Sequence, residues 1–262
     1  MSTTTFVDWA LILGASSGFG AATARVLAHR GMNVVGIHLD GKATLPKAKA
    51  VQADIEDAGR EAIFINMNAA SSDKRAKAIE QMAAAGVKIK LLMHSLAFGS
   101  LKPMIGETAE EILDQKQIEM TLDVMANSLV YWVQDLVRAN LFADDARIFS
   151  MTSEGNQRIM PAYGAVSAAK VALESYTRQL AVELAPYNIK VNCIQAGVTD
   201  TPALRAIPGH EQMIEFARGR NPFRRLTNPD DVAHAIAELS RPGLFWMTGN
   251  VIRIDGGEFI VP

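Results

Sequence analysis

A doubly wound α/β domain, built on a seven-stranded parallel sheet with helices on both faces, is the fold this sequence predicts. Three observations predict it. Short β-branched or apolar runs alternate with longer segments of helical period, the pattern that builds βαβ units. A glycine-rich turn follows the first such run and opens the first helix, the position where this fold class turns most tightly. No repeat, low-complexity tract or Pro/Gly linker interrupts the alternation across 262 residues, so the chain reads as a single domain, 1–262.

The elements follow in order. Strand texture occurs at Ala10–Leu13, Asn33–His38, Ala62–Asn66, Ile89–His94, Arg147–Met151, Lys190–Gln195 and Val251–Ile254. Helical period fills the intervals, as at Ala21–His29, Lys74–Ala84, Ala109–Asn140 with one break, Ala165–Leu184 and Asp230–Leu239. Thr199–Asn228 differs, because Pro202, Pro208, Gly209, Gly219 and Pro222 punctuate short helical pieces. Such a segment suits a substrate flap, or an ordinary helical excursion.

Composition narrows the function. About half the residues are hydrophobic (49%), enough for a sizeable core, and a net charge of −2 gives no pull toward nucleic acid. A lone cysteine, Cys193, excludes an internal disulfide, reads as a small buried hydrophobe in its apolar context, and fits a reducing compartment. Met1–Asp8 lacks a charged and apolar leader pattern, and no apolar run reaches membrane-spanning length, so a cytoplasmic protein without a membrane partner is expected. No histidine has a partner at ligand spacing, and no metal site is expected.

Gly14-Ala15-Ser16-Ser17-Gly18-Phe19-Gly20 sits between the first strand and first helix. There, glycines let the backbone approach a pyrophosphate while N–H groups at the helix start attract its charge, so a dinucleotide is the expected ligand. About twenty residues further on, an acidic side chain would accept from the ribose 2′-OH of NADH, and a basic one would suit the 2′-phosphate of NADPH. His38, Asp40 and Lys42 occupy that region with mixed character, leaving the choice between NADH and NADPH open.

Tyr163 and Lys170 stand seven residues apart, two helical turns, which sets a phenol and an ammonium on one helical face about 10.5 Å apart along the axis. With the glycine loop, Val191-Asn192 ahead of Gly197, Thr248-Gly249-Asn250 and Asp255-Gly256-Gly257, this pair resembles the short-chain dehydrogenase/reductase family over nearly the full length. Further details resemble its enoyl-acyl carrier protein reductases. These are His94-Ser95-Leu96-Ala97-Phe98 after the fourth strand, six residues between Tyr163 and Lys170, Gly155, Arg158 and Pro161 ahead of the tyrosine, and Ala196-Gly197 after the sixth strand.

The resemblance implies a Rossmann-type fold, NADH or NADPH as cofactor, a homotetramer, and reduction of a trans-2-enoyl thioester of acyl carrier protein or coenzyme A in fatty acid elongation. Carried onto this chain, it implies catalytic Tyr163 and Lys170, with Ser153 a candidate beside them where many members have a second tyrosine. It implies cofactor contacts from Gly14, Ser16, Ser17, Gly18, Phe19 and Gly20 in the first turn; His38 after the second strand; and Asn68 and Ala69 after the third. Ser95, Leu96 and Ala97 follow the fourth strand; Gly197, Val198, Thr199 and Thr201 follow the sixth; and Lys170 holds the nicotinamide ribose. In the register of Lys170, the usual family tyrosine position is Val166, which cannot donate a proton, and Met125 stands where most members have an asparagine, with Asn127 two residues away.

Chemistry gives the displaced tyrosine a reason. In ketone reduction the protonated oxygen is bonded to the carbon that takes the hydride, so the acid sits close to the nicotinamide. In enoyl reduction the hydride goes to the β-carbon and charge develops on a carbonyl oxygen two carbons away, which calls for a phenol set further back. A nearby lysine is also expected to favour the phenolate form of Tyr163. The alternatives are a carbonyl reductase or hydroxysteroid-type alcohol dehydrogenase of the same family using Ser153 with Tyr163, and a non-catalytic cofactor sensor. Met104, Met120, Met151, Met160 and Met213 suit either a flexible acyl pocket or core gaps. Arg205, Arg218, Arg220, Arg224 and Arg225 suit either docking of an acidic carrier or a solvated face.

Overall fold

The computed structural model describes residues 9–262; Met1–Asp8, read above for a leader, lie outside the described residues. Seven strands, β1 (Trp9–Leu13), β2 (Asn33–His38), β3 (Ala62–Asn66), β4 (Ile89–His94), β5 (Phe142–Thr152), β6 (Lys190–Ala196) and β7 (Val251–Ile254), form one all-parallel sheet in the order β3-β2-β1-β4-β5-β6-β7. The helices are α1 (Gly18–His29), α2 (Leu45–Asp57), α3 (Ser72–Ala84), α4 (Gln115–Leu122), α5 (Ser128–Arg138), α6 (Gly164–Glu183), α7 (Pro202–Arg205), α8 (His210–Arg220) and α9 (Pro229–Leu239). The predicted Rossmann-type doubly wound sheet is therefore the fold observed.

Central strands are apolar throughout because helices cover both faces; β1 reads WALIL and is buried at every position. One core layer joins Leu11, Leu92, Trp132, Ala169 and Leu173, and the other joins Ile12, Leu27, Met93, Phe149 and Ile236.

Strand order reverses between β1 and β4, and the crevice at the carboxyl ends of those strands is where this fold binds ligands. Register aligns the relevant ends. Leu13 is level with Ile37 and His94, His94 with Ser150, and Thr152 with Gln195, so the turns that follow β1, β2, β4, β5 and β6 share one rim.

Three differences from the sequence reading have local causes. The Ala109–Asn140 stretch starts late, at α4, because Asp114 accepts from the Gln117 N–H at 2.7 Å while Gln117 Oε1 accepts from the Asp114 N–H at 3.1 Å, a capping box that fixes the helix start. Its expected break is a π-helical turn, Asp123–Asn127. Strand β5 begins five residues before Arg147, its polar Asp144 and Asp145 masking the strand pattern. Helix α2 was unmarked in sequence because only Ala48, Val51 and Ile55 are buried on it.

Candidate active site

A cleft of about 680 Å³ opens along the rim. Its first half is built by the glycine turn. A Cβ at Gly14, whose φ is +95°, would lie 2.6 Å from the Ser95 carbonyl oxygen, and one at Gly20 would lie 2.1 Å from the Gly14 carbonyl oxygen, so neither position admits a side chain. Helix α1 follows with Ser17 at its N-cap making no side-chain cap bond and no acid in the first turn. The N–H groups of that turn are thus free of acidic or capping competitors, and the cradle fits a dinucleotide pyrophosphate. Ser16, Ser17, Gly18, Phe19, His38, Asn68, Ala69, Ser95, Leu96, Ala97, Gly197, Val198, Thr199 and Thr201 all line the same cleft. Gly20 does not; it lies beneath the turn and lets α1 pack against it.

The second half is reached from the end of β5. Ser153 caps a short turn, its Oγ accepting from the Gly155 N–H at 3.1 Å. The chain returns through Ala162 in a left-handed conformation (φ +60°) to Tyr163, which is the N-cap of α6. Tyr163 and Lys170 therefore do not share one helical face as the spacing suggested. Lysine belongs to the helix, while the phenol is carried by the residue that ends the loop. Both are buried and both line the cleft with Ser153.

Burial sets the charge state of each. It pushes the Tyr163 phenol up, with Ser153 pulling it partly back. It pushes the Lys170 ammonium down to about 8. The Lys170 Nζ donates to the Met151 carbonyl oxygen at 2.7 Å, so the lysine is anchored to β5. The phenol's shift is upward, not the lysine-driven lowering expected from sequence, and Tyr163 is a neutral hydrogen-bond donor at neutral pH. His94 beneath them is pushed down to about 3 by burial and by Lys170, and its Nε2 lies 2.9 Å from Ser128 Oγ, whose hydroxyl donates to the Val124 carbonyl at 2.7 Å. Cys193 is buried and its thiol raised to about 11, chiefly by burial, which makes it inert.

The remaining wall is apolar. Leu101, Met120, Val124, Met125, Met151, Met160, Val166, Leu204, Ile207 and Met213 contribute, the last four of these from α6 and the 199–228 segment. Four of the five methionines singled out in sequence lie here; Met104 is half-exposed and touches Gly164 from outside the cleft wall. Val166 occupies the cleft at the position a ketone-reducing tyrosine would hold. Met125 also lines it, whereas Asn127 Oδ1 accepts from the Tyr176 hydroxyl at 2.8 Å and turns away.

A family described as enoyl-(acyl carrier protein) reductase matches residues 14–258. The chain belongs to this family. It is a branch of the short-chain dehydrogenases and reductases, oxidoreductases that use NAD(H) or NADP(H). This family member is 28% identical to 1-cyclohexenylcarbonyl-CoA reductase of Streptomyces collinus over 96% of the chain and 86% of that protein. It is 29% identical to cis-4-hydroxycyclohexanecarboxylate dehydrogenase of Sinomonas cyclohexanicum over 95% of each. Among solved structures, enoyl-[acyl-carrier-protein] reductase (NADH) from Aquifex aeolicus VF5 superimposes with a TM-score of 0.86 at 21% identity over 99% of both chains, a likeness of fold.

One feature of this reductase-family site escaped the sequence. Arg220, buried at the end of α8, donates through Nη2 to both oxygens of Glu154 at 2.8 Å and to Glu258 Oε1 at 3.1 Å. Glu258 Oε1 also accepts from the Val198 N–H at 3.3 Å, so the clasp joins the turn after Ser153 to the turn after β6. Burial raises the Glu258 carboxyl despite the Val198 and Arg220 bonds. Of the arginines read as a docking row only Arg220 is buried. Arg205, Arg218, Arg224 and Arg225 are exposed, with Arg205 paired to Asp200 at 2.7 and 2.9 Å and Arg225 to Asp231 at 2.6 and 3.0 Å. No helix among the described residues is long and apolar enough to cross a membrane, and no group of three or more potential ligands among them is placed to hold a metal ion.

Proposed function

We propose that this oxidoreductase reduces the carbon–carbon double bond of a trans-2-enoyl thioester with NADH or NADPH. The observation that carries the reading is the pairing of Tyr163 with Val166: the acid is present in the cleft, and the position nearer the helix-borne lysine is an inert valine. The Streptomyces relative, whose name specifies a thioester conjugated to a ring double bond, supports the same reaction class.

In this reading the bound cofactor supplies a hydride to the β-carbon. Tyr163, kept neutral by burial, donates to the thioester oxygen as negative charge develops there, where a positioned donor in a water-poor site contributes most. Lys170, anchored on Met151, positions the nicotinamide ribose. Ser153 holds the turn that carries Gly155 and stands beside the phenol, and a solvent-linked proton completes the α-carbon. The 199–228 segment serves as the substrate flap over the apolar wall, with the thioester carried on acyl carrier protein or coenzyme A, in fatty acid elongation. The protein works in the cytoplasm as a homotetramer.

A carbonyl reductase or alcohol dehydrogenase is the second reading, favoured by Ser153 beside Tyr163 and by the Sinomonas dehydrogenase relative. Loss of 340 nm absorbance with crotonyl-coenzyme A, against a 3-oxoacyl thioester as control, separates the two. Oxidation with the enoyl substrate is expected, and Tyr163→Phe is expected to lose about 10²–10³-fold in kcat with cofactor binding intact. Oxidation with the 3-oxo substrate alone overturns the proposal.

A further inference from the structure

Arg220 is buried at the end of α8, yet a single nitrogen of its guanidinium makes all of its hydrogen bonds. Nη2 donates to both oxygens of Glu154 at 2.8 Å and to Glu258 Oε1 at 3.1 Å. Nε and Nη1 of the arginine and Oε2 of Glu258 are buried with no hydrogen-bond partner among the described residues. Buried ion pairs add little net stability even when fully bonded, because desolvation offsets the attraction, and unbonded polar atoms add a further cost. Stability alone therefore does not account for this clasp, and its value lies in what it holds.

On one side, Glu154 lies between Ser153 and Gly155, and Gly155 packs so closely on Tyr163 that a Cβ there would stand 2.6 Å from the ring. The Glu154 carboxylate is gripped a second time by Arg158, whose Nε lies 3.4 Å from Oε2 and whose Nη2 donates to the Phe259 carbonyl at 3.1 Å. On the other side, Glu258 Oε1 accepts from the Val198 N–H at 3.3 Å, and its second oxygen would stand 3.0 Å from a Cβ at Gly197. Gly197 and Val198 line the cleft where a dinucleotide fits. The mount of the arginine is fixed as well. Asn221, next in the chain and buried, donates through Nδ2 to the Asp255 carbonyl at 2.9 Å, and the Asp255 carboxylate accepts from the Gly257 and Phe259 N–H groups, both at 2.9 Å, on either side of Glu258.

We infer that Arg220 is a positioning residue for the reduction: one guanidinium nitrogen fixes the distance between the turn that seats the Tyr163 phenol and the turn that seats the cofactor, and so registers the proton donor against the hydride source. This rests on the reading of Tyr163 as the donor and of the cleft as a dinucleotide site. Arg220 does not line the cleft; it acts through Glu154 and Gly155 in one direction and through Glu258 and Val198 in the other. Two carboxylates brought to a common point repel each other, so a cation between them is what draws the two turns together.

The test is steady-state reduction of crotonyl-coenzyme A and of a 3-oxoacyl thioester at 340 nm, with nucleotide titration and a urea melt, for the wild type, Glu154→Ala and Arg220→Met/Glu258→Gln. Glu154→Ala cuts the arm to the phenol. Its kcat is expected to fall about tenfold, with KM for the thioester and NAD(P)H affinity within about threefold. The double variant removes the cation together with the buried charge it neutralises, so most of the stability lost in Arg220→Met is expected to return. Its kcat is still expected to fall about tenfold, and its nucleotide affinity about fivefold, because both arms are cut. A clasp that served stability alone would move the melt and leave turnover of the folded protein unchanged. A kcat within about threefold of wild type in either folded variant, or a loss that falls on KM rather than kcat, overturns the proposal. A wild type that reduces neither thioester overturns the reading of Tyr163 as the donor, and this inference falls with it.

Discussion

Gly155 supplies the sharpest test of the catalytic geometry, because a single methyl group there strikes the phenol directly. A Cβ at this position would lie 2.6 Å from Tyr163 Cε1 and 3.0 Å from Cδ1, and 2.1 Å from the Met160 methyl. Methionine can swing aside. The tyrosine ring cannot do so without moving its hydroxyl. Ordinary contact begins near 3.4 Å, so the ring must retreat by about 0.8 Å, and a misplacement of about 1 Å in a reacting group costs on the order of 10²-fold in rate. Overpacking also costs about 1–3 kcal/mol of stability. Gly155→Ala is therefore expected to lower kcat for an enoyl thioester about 10²-fold, to leave NAD(P)H binding within about threefold, and to lower the denaturant midpoint modestly. The assay is steady-state turnover at 340 nm beside nucleotide titration and a urea melt. A folded Gly155→Ala protein with kcat within about threefold of wild type would refute the argument that Tyr163 must stand where the structure puts it.

Two further outcomes follow from the charge states and the clasp. Lys170 is pushed down to about 8 by burial, so it keeps its charge below that pH and loses it above; enoyl reduction should be flat from pH 6 to 7.5 and fall through about pH 8, and a rate still rising at pH 9 would contradict this. Arg220→Met leaves Glu258 buried without its cation, and half-buried Glu154 with Arg158 alone at 3.4 Å, and should cost about 3–5 kcal/mol in urea unfolding, most of it recovered in Arg220→Met/Glu258→Gln; an exposed pair would cost under about 1 kcal/mol.

What could be read from sequence was local in the chain. The glycine turn, the strands that bracket it and the Tyr163–Lys170 spacing each declare themselves within a window of about ten residues, and they fix the fold and the cleft that lies on it. The backbone around Tyr163 was less legible. Pro161 and the left-handed Ala162 hold Tyr163 at the N-cap, just ahead of α6, a placement that the seven-residue spacing to Lys170 does not register. Contacts between distant segments were not legible at all. Arg220 meets Glu154 across 66 positions and Glu258 across 38, so an arginine that composition assigns to a docking face is in fact buried beneath it. Asp40 showed the same limit at shorter range. Its sequence position suggested a direct ribose contact, but the structure sets it behind His38.

Because Tyr163 is the last residue of a loop and Lys170 belongs to a helix bound to β5, the two halves of the reactive pair answer to different parts of the chain. Changing the path between Ser153 and Tyr163 would move the phenol along the cleft while the lysine stays with the sheet. In the proposed reaction, that stretch of irregular backbone would be a gauge that sets which atom of the substrate receives the hydrogen bond. Under the proposed function, redrawing that one turn would move the donor relative to the reacting carbon, with strands, glycine cradle and helix left as they are.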